Sequence, residues 1–237
     1  MAETNVLAGA TIAFDLDGTL VDTAPDLVGT LNVLLAEEGL APLAMDAARP
    51  FIGRGAAWLI ERGFTAAGAP LAAERAPQLF ERFIAYYLAH IADGSRPFPG
   101  MVEALEGLRA EGAKLAVCTN KRTDLSTALL DALDLSRLFD AVVGPDRAPA
   151  AKPDARHLQA AVALAGGAIE RAVMVGDAAT DAGAARAAGA PLILVSFGYT
   201  EIPAAELAPD VLIHHYDELT GACRRVLGAC PQPTAGL

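Results

Sequence analysis

Basic residues are the scarce class in this chain of 237 residues: 18 Lys and Arg stand against 29 Asp and Glu, a formal net charge of −11. That balance argues against a nucleic-acid partner, because phosphate backbones are bound by cations that replace their counterions. It does not exclude a small phosphorylated ligand, for which a local cation cluster or a metal ion suffices. Cysteine is scarce too, and Cys118, Cys223 and Cys230 lack metal-ligand spacing. A Cys223–Cys230 disulfide is compatible with the sequence, but free thiols in a reducing compartment are the simpler reading. His90, His157, His214 and His215 also lack ligand spacing and receive no role. His214-His215 reads as a surface pair on opposite faces of a strand. No basic segment followed by an apolar core opens the chain, and no apolar stretch is long and uncharged enough to span a bilayer. The expectation is a soluble cytoplasmic protein, monomer or homodimer, without internal repeats.

What is present is apolar material: 53% hydrophobic against 20% charged residues, enough for a large core. Ala10–Leu16 reads as a buried strand that ends on Asp15. From Pro25 to Ala92 the pattern is helical, with Leu27, Leu31, Leu34 and Leu35 on one face. Further helices are expected at Ala56–Ala67 and Ala72–Ile91. Arg96-Pro97-Phe98-Pro99-Gly100 breaks this run. Strands then alternate with helices. Strands are expected at Lys114–Cys118, Ala141–Val143, Ala172–Val175, Pro191–Val195 and Val211–Ile213. The helices fall at Met101–Glu111, Asp124–Leu133, Ala155–Ala165 and Thr180–Ala188. Such alternation predicts βαβ units. The fold expected is α/β, a doubly wound, mostly parallel sheet with a small all-helical cap inserted after the first strand. Residues 1–23 and 97–237 would form the core and 24–96 the cap. Ala184-Ala185 and Ala187-Ala188 read as tight-packing helix surface, and Pro231–Leu237 as a disordered tail.

Chemistry concentrates where strands end. Asp15-Leu16-Asp17-Gly18-Thr19-Leu20 closes the first strand, and ligands of open α/β sheets bind beyond the strands' carboxyl ends. Gly18 lets the backbone turn, so that both acids face one crevice. Two carboxylates this close are costly unless they share a cation or a proton. Thr119 and Asn120 follow the strand at Lys114–Cys118 and suit phosphate oxygens, although Thr-Asn is also an ordinary helix cap. Lys152-Pro153 precedes a helix, either neutralising phosphate or simply exposed. Gly176-Asp177 ends another strand, and Asp181 lies one helical turn on. The pair suits a hard cation such as Mg²⁺, or serves as an N-cap with a first-turn acid. All four features lie at neighbouring ends of one sheet, which favours the functional reading of each.

In this order the motifs resemble the haloacid dehalogenase superfamily of hydrolases, most closely its phosphoglycolate phosphatase branch. The likeness spans nearly the whole chain. It rests on Asp15–Asp22 (DLDGTLVD), Thr119-Asn120-Lys121, Lys152-Pro153, Gly176–Asp181 (GDAATD) and the loop Phe51–Ala56 (FIGRGA). The resemblance implies a Mg²⁺-dependent phosphatase in which Asp15 is the nucleophile and Asp17 the general acid and base. It implies Mg²⁺ held by Asp15, the backbone carbonyl of Asp17, and Asp177, with Asp181 in an outer shell. Thr119 and Lys152 would hold the transferring phosphoryl group, helped by backbone N–H groups near Asp17 and Asn120. Ala178 departs from the pattern, since many relatives carry a hydroxyl there.

Within FIGRGA, two glycines let the loop approach the core, and Arg54 is placed to grip a carboxylate or phosphate. Lys121 is a second candidate cation for the substrate. Phe51, Trp58, Tyr86 and Tyr87 either line a pocket or form the core of the helical unit. Hinges are expected near Thr23 and Pro97. The same core residues would also serve a sugar phosphate, a nucleoside monophosphate, pyrophosphate or a phosphomutase reaction. A catalytically silent regulatory protein is the reading from a different class.

Overall fold

All four residues of the strand Thr11–Phe14 (β1) are buried, which requires a sheet covered by helices on both faces. The computed structural model describes residues 5–229 and contains that sheet. After β1 come a two-residue strand, Val21–Asp22 (β2), and four helices: Ala24–Glu37 (α1), Met45–Ala48 (α2), Ala56–Ala66 (α3) and Ala76–Ala89 (α4). A second short strand, Arg96–Pro97 (β3), leads to Met101–Ala110 (α5), Lys114–Cys118 (β4), Thr123–Ala132 (α6) and Ala141–Val143 (β5). The chain continues through Ala155–Leu164 (α7), Ala172–Gly176 (β6), Ala179–Ala188 (α8), Leu192–Val195 (β7), Val211–Ile213 (β8) and Leu219–Ala229 (α9).

Six strands pair in parallel in the order β5-β4-β1-β6-β7-β8. This is the doubly wound α/β architecture with helices inserted after the first strand. The chain winds outward from β1 through β4 to β5, then crosses back to β6 on the other side of β1. Ligand crevices form at such a reversal, at the carboxyl ends of the strands. One face packs Ile12 and Phe14 against Leu105 and Leu108 of α5 and Val226 and Leu227 of α9. The other packs Ala13, Ala116 and Met174 against Ala161 of α7 and Ala182 and Ala185 of α8. Small side chains on this second face let α7 and α8 lie close to the sheet and to each other. Ala184 and Ala185 are packed as expected, but Ala187 is exposed and plays no part in it.

The inserted helices have their own core of Leu31, Leu35, Leu59, Phe64, Leu79 and Phe83, completed by Leu125 and Tyr199 from the α/β part. Burial of a side chain such as Phe83 contributes roughly 1.5–3 kcal/mol. Helix α4 starts at Ala76 instead of Ala72, because Pro77 fits a first helical turn and nowhere deeper. The short helix α2 and the 3₁₀ turn Arg49–Phe51 are too brief to carry a periodic signal. The two crossings between the parts pair antiparallel, Val21 with Pro97 and Asp22 with Arg96, in a ribbon the sequence does not announce. β1 is shorter than expected because the chain leaves the sheet at Asp15 and folds back, with Leu20 and Val21 donating to the Leu16 carbonyl. His214 and His215 follow β8 instead of lying on it, and both are exposed. Cys118 and Cys223 are buried free thiols; Cys230 and the tail from Pro231 lie outside the described residues.

Candidate active site

Four strand ends converge on one crevice. Asp15 follows β1, Thr119 follows β4, Asp177 follows β6, and Tyr199 sits in the loop after β7. Gly18, at φ +81°, turns the chain between them. A Cβ there would lie 2.7 Å from Asp177 Oδ2 and 2.8 Å from the Tyr199 ring, so the loop closes only over glycine.

The Lys152 ammonium lies between two acids, 2.9 Å from Asp15 Oδ1 and 2.7 Å from Asp181 Oδ1, with no exposed side-chain surface. The other Asp181 oxygen accepts the backbone N–H groups of Asp177 (3.1 Å) and Ala178 (3.0 Å). Asp177 in turn accepts from the Thr19 hydroxyl at 2.9 Å and from the Tyr199 N–H at 2.7 Å. Asp15, Asp177 and Asp181 each place an oxygen within 4.8 Å of the others. Three buried carboxylates against one ammonium leave an excess of negative charge. Burial pushes Asp15 up to about 6; Lys152 opposes the shift, and Asp181 and Asp17 add to it. Asp177 is raised well above its ordinary value by burial, then by Asp181 and Asp15. In Lys152, burial works against the charge but is outweighed by Asp15 and Asp181, so the ammonium persists. A hard divalent cation with oxygen ligands fits this donor set. The Asp17 side chain lies outside it.

Asp17 meets Lys121, whose Nζ donates to both carboxylate oxygens at 3.0 and 3.3 Å. The same ammonium lies 4.5 Å from the ring centroid of Tyr87 on α4. Thr119 is buried, and its hydroxyl accepts the Lys121 N–H at 3.2 Å. The Asn120 side chain accepts from the Lys152 N–H (2.9 Å) and donates to the carbonyls of Lys152 (3.2 Å) and Gly53 (3.3 Å). Asn120 thus ties the FIGRGA loop to the lysine loop. Arg54 borders the crevice, but its guanidinium lies 4.1 Å from the Trp58 ring centroid. Phe51 and Trp58 also face Arg62, each 5.5 Å from its guanidinium, and Tyr86 is exposed beside His90. Of the four aromatics, Tyr87 alone borders the cavity of about 220 Å³ beside Asp17.

Sequence reasoning missed Thr19, Tyr199 and His157. Thr19 lies within Asp15–Asp22 but has no signal of its own that would point to Asp177. Tyr199 carries no local signal. Its hydroxyl donates to Asp22 and accepts the Ala24 N–H, at the start of α1. His157 is fully buried on α7: Nδ1 accepts the Lys152 N–H at 3.1 Å, and Nε2 is 3.1 Å from the Val143 carbonyl, the partner of its N–H in this tautomer. Burial first, then Lys152, lowers its value from 6.5 to about 4. The unfolded chain therefore binds an extra proton between those values, and stability falls as pH drops through that window. The loss is on the order of 2 kcal/mol. Urea unfolding near neutral pH and near pH ~4.5 should show a smaller acid loss in His157→Gln than in the parent. Equal losses would exclude His157 as the cause.

Residues 12–195 match the family model described as haloacid dehalogenase-like hydrolase. The chain is 61% identical to a phosphoglycolate phosphatase of Caulobacter vibrioides, over the whole length of both proteins. It is 46% identical to a phosphoglycolate phosphatase of Agrobacterium fabrum, over 88% of this chain and 90% of that one. A crystal structure of a predicted phosphoglycolate phosphatase from Haemophilus somnus 129pt superposes with a TM-score of 0.84 at 30% identity. It covers 91% of this chain and 97% of its own.

Proposed function

Because the chain belongs to the haloacid dehalogenase-like hydrolase family and is a phosphatase, we propose that it hydrolyses 2-phosphoglycolate through an aspartyl-phosphate on Asp15, with Mg²⁺ as cofactor. The observation that carries this reading is the placement of Asp15: buried at the end of β1, 2.9 Å from Lys152, beside Asp177 and Asp181.

In the first half-reaction an Asp15 carboxylate oxygen attacks phosphorus, and the bond to the ester oxygen breaks. Asp17 gives a proton to the departing alkoxide. In the second, Asp17 takes a proton from water, whose oxygen attacks phosphorus, and the bond to Asp15 breaks to release inorganic phosphate and the free carboxylate. Lys121 orients the Asp17 carboxylate through two hydrogen bonds. Lys152, the Thr119 hydroxyl and the backbone N–H groups after β1 and β4 surround the position of the transferring group. Asp15, Asp177, the Asp17 carbonyl and, through an outer shell, Asp181 would hold Mg²⁺. When bound, the ion offsets repulsion between the Asp15 carboxylate and a phosphate dianion. Residues 24–96 act as the cap, with Thr23 and Pro97 as hinges. Arg54 would leave Trp58 to meet the substrate carboxylate.

The test is turnover of 2-phosphoglycolate, a sugar phosphate, a nucleoside monophosphate and pyrophosphate, each with Mg²⁺ and with EDTA. The highest kcat/KM is expected for 2-phosphoglycolate, with activity lost in EDTA. Preference for another ester would overturn the substrate assignment and keep the mechanism. Full activity in EDTA would overturn the metal.

A further inference from the structure

The cavity beside Asp17 is smaller than a typical ligand pocket and mostly apolar, walled by side chains such as Leu27, Phe83 and Leu125. It continues from the residue that would protonate the leaving oxygen, so the rest of the leaving group must enter it. On the reading above that group carries a carboxylate, and a carboxylate among apolar walls requires hydrogen-bond donors.

Most side-chain donors bordering the cavity are already engaged. The Lys121 ammonium is held by Asp17, the Asn120 amide by two carbonyls, and the Arg122 guanidinium by Asp124. Arg54 rests on Trp58. Among the side chains, the exception is Tyr87. It has no exposed surface; the Lys121 ammonium beside its hydroxyl can only donate to it, and among the described residues nothing accepts the hydroxyl proton. Its ring faces the Lys121 ammonium at 4.5 Å, a contact that a phenylalanine would keep. A buried hydroxyl whose proton has no acceptor weakens the fold and is an unused donor.

We infer that the Tyr87 hydroxyl is a specificity-determining donor, which binds the carboxylate of the leaving group as it enters the cavity. The inference rests on the substrate reading above. It adds that α4 of the helical unit, as well as the FIGRGA loop, reads the substrate.

The test compares 2-phosphoglycolate with ethyl phosphate, the ester of similar size without the carboxylate, in the full chain with Mg²⁺ and in Tyr87→Phe. The variant keeps the ring over Lys121. Its kcat/KM for 2-phosphoglycolate should fall by about 10-fold or more while that for ethyl phosphate is unchanged. Its unfolding midpoint without ligand should stay the same or rise by a few degrees, because an unpaired polar group is removed. A wild-type enzyme indifferent to the carboxylate would sink the substrate reading and this inference with it. A discriminating wild type whose ratio survives in Tyr87→Phe would sink the inference alone, as would a lowered midpoint, which would assign the hydroxyl a structural bond.

Discussion

Asp15→Asn is expected to abolish turnover, by roughly 10⁴-fold or more, while leaving the fold at least as stable as the parent. The amide matches the carboxylate in size but is a poor nucleophile, so the phosphoryl group has no acceptor. The stability half of the prediction follows from charge. Burial pushes Asp15 up to about 6 from the ordinary 3.8. Between these values the native protein binds more protons than the unfolded chain, so stability falls as pH rises through them. Above that window the ionised acid is retained at a cost that the amide does not carry. A thermal midpoint that is equal or higher near neutral pH, with no measurable hydrolysis, is the expected result. A folded variant with more than about a hundredth of parental activity would remove Asp15 as nucleophile.

Lys152→Met should be as damaging to activity and opposite in its effect on stability. The ammonium has no exposed surface and separates Asp15 from Asp181 at 2.9 and 2.7 Å. Without it three buried carboxylates face one another, and breaking such a buried pairing costs about 3–5 kcal/mol. Methionine fills most of the volume, so the loss is electrostatic and not a cavity effect. Adding Mg²⁺ should raise the unfolding midpoint of this variant by more than it raises that of the parent, since a cation then replaces the missing charge. Activity should stay down by roughly 10³-fold even with Mg²⁺, because the phosphoryl oxygens lose a donor. A midpoint unchanged by the substitution would mean that the charges are already balanced in another way.

These two positions are legible in the sequence because each stands at the break in a pattern: Asp15 ends an apolar strand, and Lys152 precedes a proline and a helical run. Sheet positions were legible for the same reason. Lys114–Cys118 and Val211–Ile213 are buried strands, and their apolar runs end within a residue of the ladder. Boundaries shifted where a local rule outweighed the pattern, as Pro77 did in starting α4.

The residues that were missed share a different cause. His157 lies on an apolar helix face, and only the fold brings its ring to the Lys152 N–H and the Val143 carbonyl. Tyr199 meets Asp22 and Ala24 across 177 and 175 residues of chain, a separation at which sequence carries no geometric signal. Lys121 is a subtler case. The sequence offers it as a cation for the substrate, and the fold sets its ammonium on Asp17, a contact 104 residues distant in sequence. Composition cannot tell a free cation from one already engaged.

The ribbon of Val21–Asp22 with Arg96–Pro97 has an evolutionary consequence. Because departure and return are hydrogen-bonded neighbours, the segment between them joins the α/β part through the chain at one place. An insertion there can lengthen, shrink or be exchanged for unrelated sequence without moving β1, β4 or β6. Such a graft point lets a lineage acquire new substrates by recombination while its hydrolytic centre is inherited unaltered.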